Sequence, residues 1–163
     1  MTRIGLLSDT HGHWDERIKE FFQDCDEVWH AGDIGNIELA DQISGFKTFK
    51  AVYGNIDDQK LRLCYPETQL FTCEALSVVI KHIGGYPNHY EKDVKEIIGN
   101  KAIDLLICGH SHILKVMYDK KYSLMYMNPG AYGITGFHKF RTALRFVVDG
   151  KQIRNLDVLE IKR

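Results

Sequence analysis

Seven residues able to bind metal stand in five short stretches of this chain, each just after an apolar run. They are Asp9 and His11 in D-T-H-G, Asp33 in G-D, Asn55 in G-N-I-D, His82, and His110 with His112 in G-H-S-H. Carboxylate, amide oxygen and imidazole without a thiolate suit Mn, Fe, Ni, Co or Zn in a catalytic rather than a structural site. Seven ligands exceed what one ion with an open position can use. They fit two ions about 3.5–4 Å apart that share a bridging carboxylate, an arrangement suited to in-line phosphoryl displacement.

Each piece taken singly has an ordinary reading. Gly-Asp after a strand is commonly a turn with Asp as its cap, and G-N-I-D alone reads the same way. His82 alone would be a satisfied core histidine, and His30 is expected in the core or behind the ligands. G-H-S-H is the strongest single piece, because two imidazoles one residue apart on a Gly turn can face one cavity. The ordered set carries the reading, since unrelated turns have no reason to supply ligand types at every strand end.

The elements that must position these residues alternate at first. Ile4 to Leu7 reads as a buried strand, and Trp14 to Asp24 as a helix with Trp14, Ile18, Phe21 and Phe22 on one face. Glu27 to Ala31 is a second strand, Ile37 to Ile43 a helix with Asn36 as N-cap, and Phe49 to Tyr53 a third strand. Strands alternating with helices imply a parallel sheet whose strand ends share one edge. The second half changes character. Leu70 to Thr72 and Leu76 to Ile80 form a hairpin, and Tyr90, Val94, Ile97 and Ile98 mark a helix. Asp104 to Cys108 is a strand, and Ile113 to Tyr118, Tyr122 to Met127, Ala143 to Asp149 and Gln152 to Leu159 are further strands, the last two joined at Asp149-Gly150. Two sheets packed face to face with helices outside are expected, in one domain over residues 1–163.

Composition agrees with a globular chain. It is 163 residues long, 44% hydrophobic and 26% charged, and no window reaches the roughly 18 apolar residues of a membrane span. Ser8, Asp9 and His11 interrupt any signal-peptide core, so a cytoplasmic protein without a membrane partner is expected. The formal charge of −1 offers no broad field for nucleic acid. Cys25, Cys64, Cys73 and Cys108 lie in or beside separate apolar runs without a C-x-x-C pair, and four reduced, buried thiols are expected.

The order D-T-H-G, G-D, G-N-x-D, strand-terminal His82 and G-H-S-H resembles the calcineurin-like metallophosphoesterases. It is most similar to their small YfcE-type phosphodiesterases, to which the retromer subunit VPS29 is related. Asn128-Pro129-Gly130 resembles that subgroup's N-P-G turn. The resemblance implies a four-layer α/β/β/α sandwich of two mixed sheets. It also implies two divalent ions, manganese first with Ni, Co, Fe or Zn as substitutes. By motif position Asp9, His11 and His112 would hold one ion, Asn55, His82 and His110 the other, and Asp33 would bridge them. Asn55, His82 and His110 are the expected catalytic set, with a metal-bound hydroxide as nucleophile; Asp57 and Asn128 are expected to support the ligands. A small phosphate ester, more readily a diester than a monoester, is the implied substrate, and oligomeric state stays open.

Three departures from that pattern matter. Where larger relatives carry His and small ones often Cys, the G-N-x-D motif here has Ile56, which can neither donate a proton nor ligate; activity would then depend on leaving groups that need little protonation, or on a donor from elsewhere such as His13, His89 or His138. His82 is followed by I-G-G-Y-P rather than Gly and a further His. Gly35-Asn36 follows Asp33 where many relatives have an acidic residue. Trp14 and its neighbours, Gly84 to Tyr90, and Tyr132 to Arg141 would line the cleft. Phe137 and His138 stand in the last of these, and Lys139 and Arg141 could there meet phosphate charge, an ordinary solvated loop being the simpler alternative. The alternative function is a VPS29-like docking scaffold with a weak or silent metal site.

Overall fold

The computed structural model describes all 163 residues. The first half runs β1 (Thr2–Leu7), α1 (Glu16–Phe22), β2 (Glu27–His30), α2 (Ile37–Phe46), β3 (Thr48–Ala51) and α3 (Gln59–Cys64). It continues with β4 (Thr68–Cys73), β5 (Leu76–Lys81), β6 (Gly85–Tyr86), β7 (His89–Tyr90), α4 (Lys92–Asn100) and β8 (Leu105–Ile107). Last come β9 (Leu114–Asp119), β10 (Leu124–Pro129), β11 (Phe140–Asp149) and β12 (Gln152–Lys162). Two five-stranded mixed sheets result, in the orders β12-β11-β1-β2-β3 and β4-β5-β8-β10-β9.

Side chains alternate across a strand, so each sheet has two faces to cover. Ile4, Leu6 and Trp29 of the first sheet meet Val78, Ile80, Leu105, Ile107 and Met127 of the second in an apolar layer between them. Trp29 anchors that layer edge-on to Phe71 and Phe146, at centroid distances of 5.0 and 5.9 Å. Leu7 and Val28 point the other way, beneath Ile18 and Phe22 of α1 and Leu39 and Ile43 of α2. Val79 and Leu106 lie beneath Val94 and Ile98 of α4. The order of layers is therefore α/β/β/α.

Pairing direction places the site. β1, β2 and β3 run parallel to one another, as do β5, β8 and β10, so their carboxyl ends gather at common edges. The helices differ from their expected extents for local reasons. Asp15 takes an extended conformation and accepts from Ile18 N at 3.3 Å, which starts α1 late and leaves Trp14 outside it, edge-on to Phe46. Asn36 caps α2 as expected, accepting from Leu39 N at 2.8 Å. Helix α3 was not foreseen: Asp58 caps it, but its one buried residue, Leu61, leaves no periodic stripe to read. Tyr90, expected in a helix, lies in the short β6–β7 ladder. All four cysteines are free, but Cys64 is exposed, because α3 turns only Leu61 inward. No helix is long and apolar enough to cross a membrane.

Candidate metal centre

All seven expected ligands lie just past parallel strands. Asp9 and His11 follow β1, Asp33 follows β2 and Asn55 follows β3, while His82 follows β5 and His110 and His112 follow β8. Backbone hydrogen bonds continue the strand pairing into these loops. Asp9 N donates to Gly32 O at 2.9 Å, His11 N to Asp33 O at 3.1 Å, and Gly109 N to His82 O at 3.0 Å. Glycine is required where loops cross: a Cβ on Gly32, whose φ is +99°, would lie 2.6 Å from His82 Nδ1.

The ligand loops turn sharply through conformations that side chains ordinarily avoid. Asp9, His11, Asp33, His110 and His112 all have left-handed backbones, with φ between 45° and 68°. Such a residue costs on the order of 1–2 kcal/mol, so the surrounding fold must hold these five in place. The sequence gives no signal of this.

The side chains form two groups, Asp9 with His11 and His112, and Asp33 with His82 and His110. Asn55 joins the second, its Oδ1 lying 3.1 Å from both His82 Nε2 and His110 Nδ1. Asp33 stands between the groups: its Oδ2 is 3.3 Å from His82 Nε2 and 3.6 Å from His11 Nε2. Asp9, Asp33 and His82 are buried, His11 and His112 half-buried, and Asn55 and His110 exposed, so the centre opens to solvent on one side.

This donor set fits divalent cations. Asp9 Oδ1 and His11 Nε2 are buried and make no hydrogen bond, although His112 Nε2 comes within 3.1 Å of Asp9 Oδ1. Orphaned buried acceptors of this kind are costly without a partner. His82 Nδ1 donates to Ala31 O at 2.7 Å, so the neutral ring aims its Nε2 lone pair at Asp33 and Asn55, themselves acceptors. Burial pushes the His82 pKa down, but the Asp33 hydrogen bond and the charges of Asp9 and Asp33 outweigh burial and raise it. Burial likewise opposes ionisation of Asp33, and hydrogen bonding to His82 overcomes it and lowers its pKa.

The supporting residues tie the loops to one another. Asp57 accepts from Ile34 N, Gly35 N and Gly54 N at 3.1, 2.9 and 2.8 Å, clamping the Asp33 loop to the Asn55 loop. Asn128 donates to Gly109 O and Ser111 Oγ, both at 3.0 Å, and so holds G-H-S-H from behind. His30 is fully buried between Gly32 N and Thr10 Oγ1, and burial pushes its pKa down to about 3, which keeps it neutral. Two contributors escaped the sequence reading. Ser8 Oγ donates to Asp9 Oδ2 at 2.6 Å, and the backbone amide of Ile56 donates to Asp33 Oδ1 at 3.1 Å.

Several expected cleft residues lie elsewhere. Arg141 is buried, donating to Asp15 Oδ2 at 2.8 Å and to Tyr132 O at 2.9 Å with its guanidinium over the Tyr132 ring, so it is unavailable to phosphate. Lys139 and Phe137 are exposed on the loop. Of the substitute proton donors, His13 is held at 3.2 Å from Asp15 Oδ2, and His89 packs on Tyr86 in the β6–β7 ladder. His138 stacks edge-on against His112 at 5.1 Å and donates Nε2–H to Gly133 O at 2.8 Å. Burial lowers its pKa.

Residues 2–151 match the calcineurin-like phosphoesterase superfamily domain. A probable metallophosphoesterase of Mycoplasma pneumoniae is 32% identical over 137 residues, covering 80% of this chain and 79% of that protein. Among solved structures, the YfcE phosphoesterase of E. coli superposes with a TM-score of 0.68 at 16% identity, over 95% of this chain and 98% of that one. Wild-type Vps29 of Entamoeba histolytica, solved with zinc, superposes with a TM-score of 0.72 at 14% identity and 98% coverage of both chains.

Proposed function

We propose that this chain, which belongs to the calcineurin-like phosphoesterase superfamily, is a dinuclear metal-dependent phosphodiesterase. The observation that carries this reading is Asp33, placed between two ligand groups whose members include the orphaned Asp9 Oδ1 and His11 Nε2. Asp9, His11 and His112 would hold one ion, Asn55, His82 and His110 the second, and Asp33 both. Bound divalent cations supply positive charge to the phosphoryl oxygens and a more acidic water as nucleophile.

The chain's own residues orient and insulate. The His82 Nδ1–H bond to Ala31 O fixes the ring with Nε2 inward, the usual way a protein sets the tautomer of a ligand histidine. Ser8 and the His110 amide occupy Asp9 Oδ2, leaving Oδ1 directed into the centre. Ile56 contributes its amide to Asp33 but no proton to a departing alcohol, so esters of acidic alcohols are favoured as substrates. This oxygen and imidazole set suits Mn, Fe, Ni, Co or Zn, and manganese is the first metal to test.

The second reading is a docking scaffold with a silent metal site, and Ile56, 45% exposed beside Asn55, is the observation that favours it. It is the weaker, because a silent site has no need for five strained ligand backbones. The two are separated by following bis(p-nitrophenyl) phosphate and p-nitrophenyl phosphate with metal-stripped protein supplied with Mn²⁺, Ni²⁺, Co²⁺ or Zn²⁺. Turnover that needs metal, favours the diester and falls more than about 100-fold in His110→Ala is expected, since even partners behind a ligand contribute 10–100-fold. Saturable binding of two ions without turnover would favour the scaffold.

A further inference from the structure

Two clefts open beside the metal centre, and their chemistry differs. The first, about 370 Å³, is lined by Asn55 and His82 and beyond them by polar residues. Its cations are already engaged. Lys81 pairs with Asp93 at 2.6 Å and Glu67 at 3.2 Å, and Arg62 donates to the carbonyls of Asp57 and Asn55 at 2.8 and 3.2 Å while covering the Tyr53 ring. Lys81 is neutralised by its two carboxylates, and Arg62 is held against carbonyls and an aromatic ring.

The second cleft, about 200 Å³, is lined by Tyr86, Ser111, Ile113, Lys115 and Tyr126. Ser111 lies between the ligands His110 and His112, so this cleft begins where the metal centre ends. Tyr86 is 46% and Ile113 65% exposed, an apolar pair left open to solvent beside a polar centre. Tyr126 forms the floor, its hydroxyl donating to Gly85 O at 2.8 Å and so fixing the strand that presents Tyr86. The Lys115 ammonium stands 5.2 Å from the Tyr86 ring centroid and enters no ion pair. His89 packs on the Tyr86 ring at 4.9 Å and Lys115 stands over it, so what the ring offers the cleft is its exposed edge. That edge, an aliphatic neighbour and a cation without an ion pair beside the metal centre are complementary to a planar ring carried on a phosphate ester.

We propose that this cleft binds an aromatic or heterocyclic group borne by one alcohol of the phosphodiester, with the ring against the exposed edge of Tyr86 and over Ile113 and the ester's negative charge facing Lys115. The proposal rests on the phosphodiesterase reading and narrows its substrates to esters with an aromatic arm.

The test is calorimetric titration of the metal-loaded protein with phenylphosphonate and methylphosphonate, which share a phosphoryl group, differ in the ring and resist hydrolysis. The wild-type chain is expected to bind the phenyl compound roughly fivefold more tightly, from the strength of an edge-to-face aromatic pair. Tyr86→Ala should bring the two affinities together and Tyr86→Phe should restore the difference, while Tyr118→Ala, an exposed tyrosine elsewhere on β9, should leave it intact. Equal affinities in the wild-type chain, or a preference that survives Tyr86→Ala, would overturn the proposal. Binding of neither compound, together with absent diester turnover, would overturn the phosphodiesterase reading itself.

Discussion

His82 Nε2 lies 3.3 Å from Asp33 Oδ2, and the opposite nitrogen of the same ring is held by the Ala31 carbonyl. The contact joins the two sheets at the site, since His82 leaves the second and Asp33 the first. Asp33→Asn keeps the shape but removes the shared charge. Equilibrium dialysis is expected to find fewer than two Mn²⁺ per chain in that variant, with diester turnover down more than about 100-fold. Two ions bound as tightly as before would exclude Asp33 as the shared ligand.

Removal of the ions should destabilise the fold, because Asp9 Oδ1 and His11 Nε2 are left buried without partners. At 100 times the dissociation constant a ligand contributes about 2.7 kcal/mol, or roughly 5–10 °C in Tm for a chain of this size. Thermal unfolding with Mn²⁺ and with chelator measures this. Coincident curves would contradict it.

Asp57 is expected to matter for stability before it matters for chemistry. Asp57→Ala strands three backbone amides, those of Ile34, Gly35 and Gly54. A loss of about 3 kcal/mol is expected for hydrogen bonds to a charged acceptor in a largely buried setting, read as about 6–12 °C in Tm. Metal affinity should fall with it, and Asp57→Asn should recover part of both.

Asp15 gives the fold an acid-sensitive joint. Partial burial opposes its ionisation, but Tyr132, Arg141 and the Ile18 amide hydrogen-bond the carboxylate and hold its pKa well below the usual range. A depressed folded pKa adds stability above the unfolded value of about 3.9, and that stability is lost as pH falls through the folded value. Asp15→Asn should therefore melt below the wild-type chain at pH 7, and the gap should close in strong acid. A gap constant down to pH 2 would show that the charge of Asp15 contributes nothing.

The gathering of the seven candidate residues at one place was legible because every member follows an apolar strand run, so periodicity and residue type together locate it. The layered architecture followed from the same alternation. What escaped depends on contacts that spacing does not encode. The five left-handed ligand backbones, the Ser8 bond to Asp9 and the Ile56 amide on Asp33 arise only when separate loops meet. Arg141 looked like a phosphate-facing cation in a glycine-rich loop, yet β11 begins at Phe140 and draws it inward to Asp15. Helix α3, with Leu61 as its sole buried residue, has too little apolar pattern to declare itself.

The central claim, that the two ligand groups hold two ions which together support ester hydrolysis, is tested most directly by counting Mn²⁺ bound per chain while following diester turnover in the same titration. Two ions per chain, with turnover rising as the second binds, is the expected result. Turnover in chelator-treated protein, or full turnover with one ion bound, would contradict the dinuclear account.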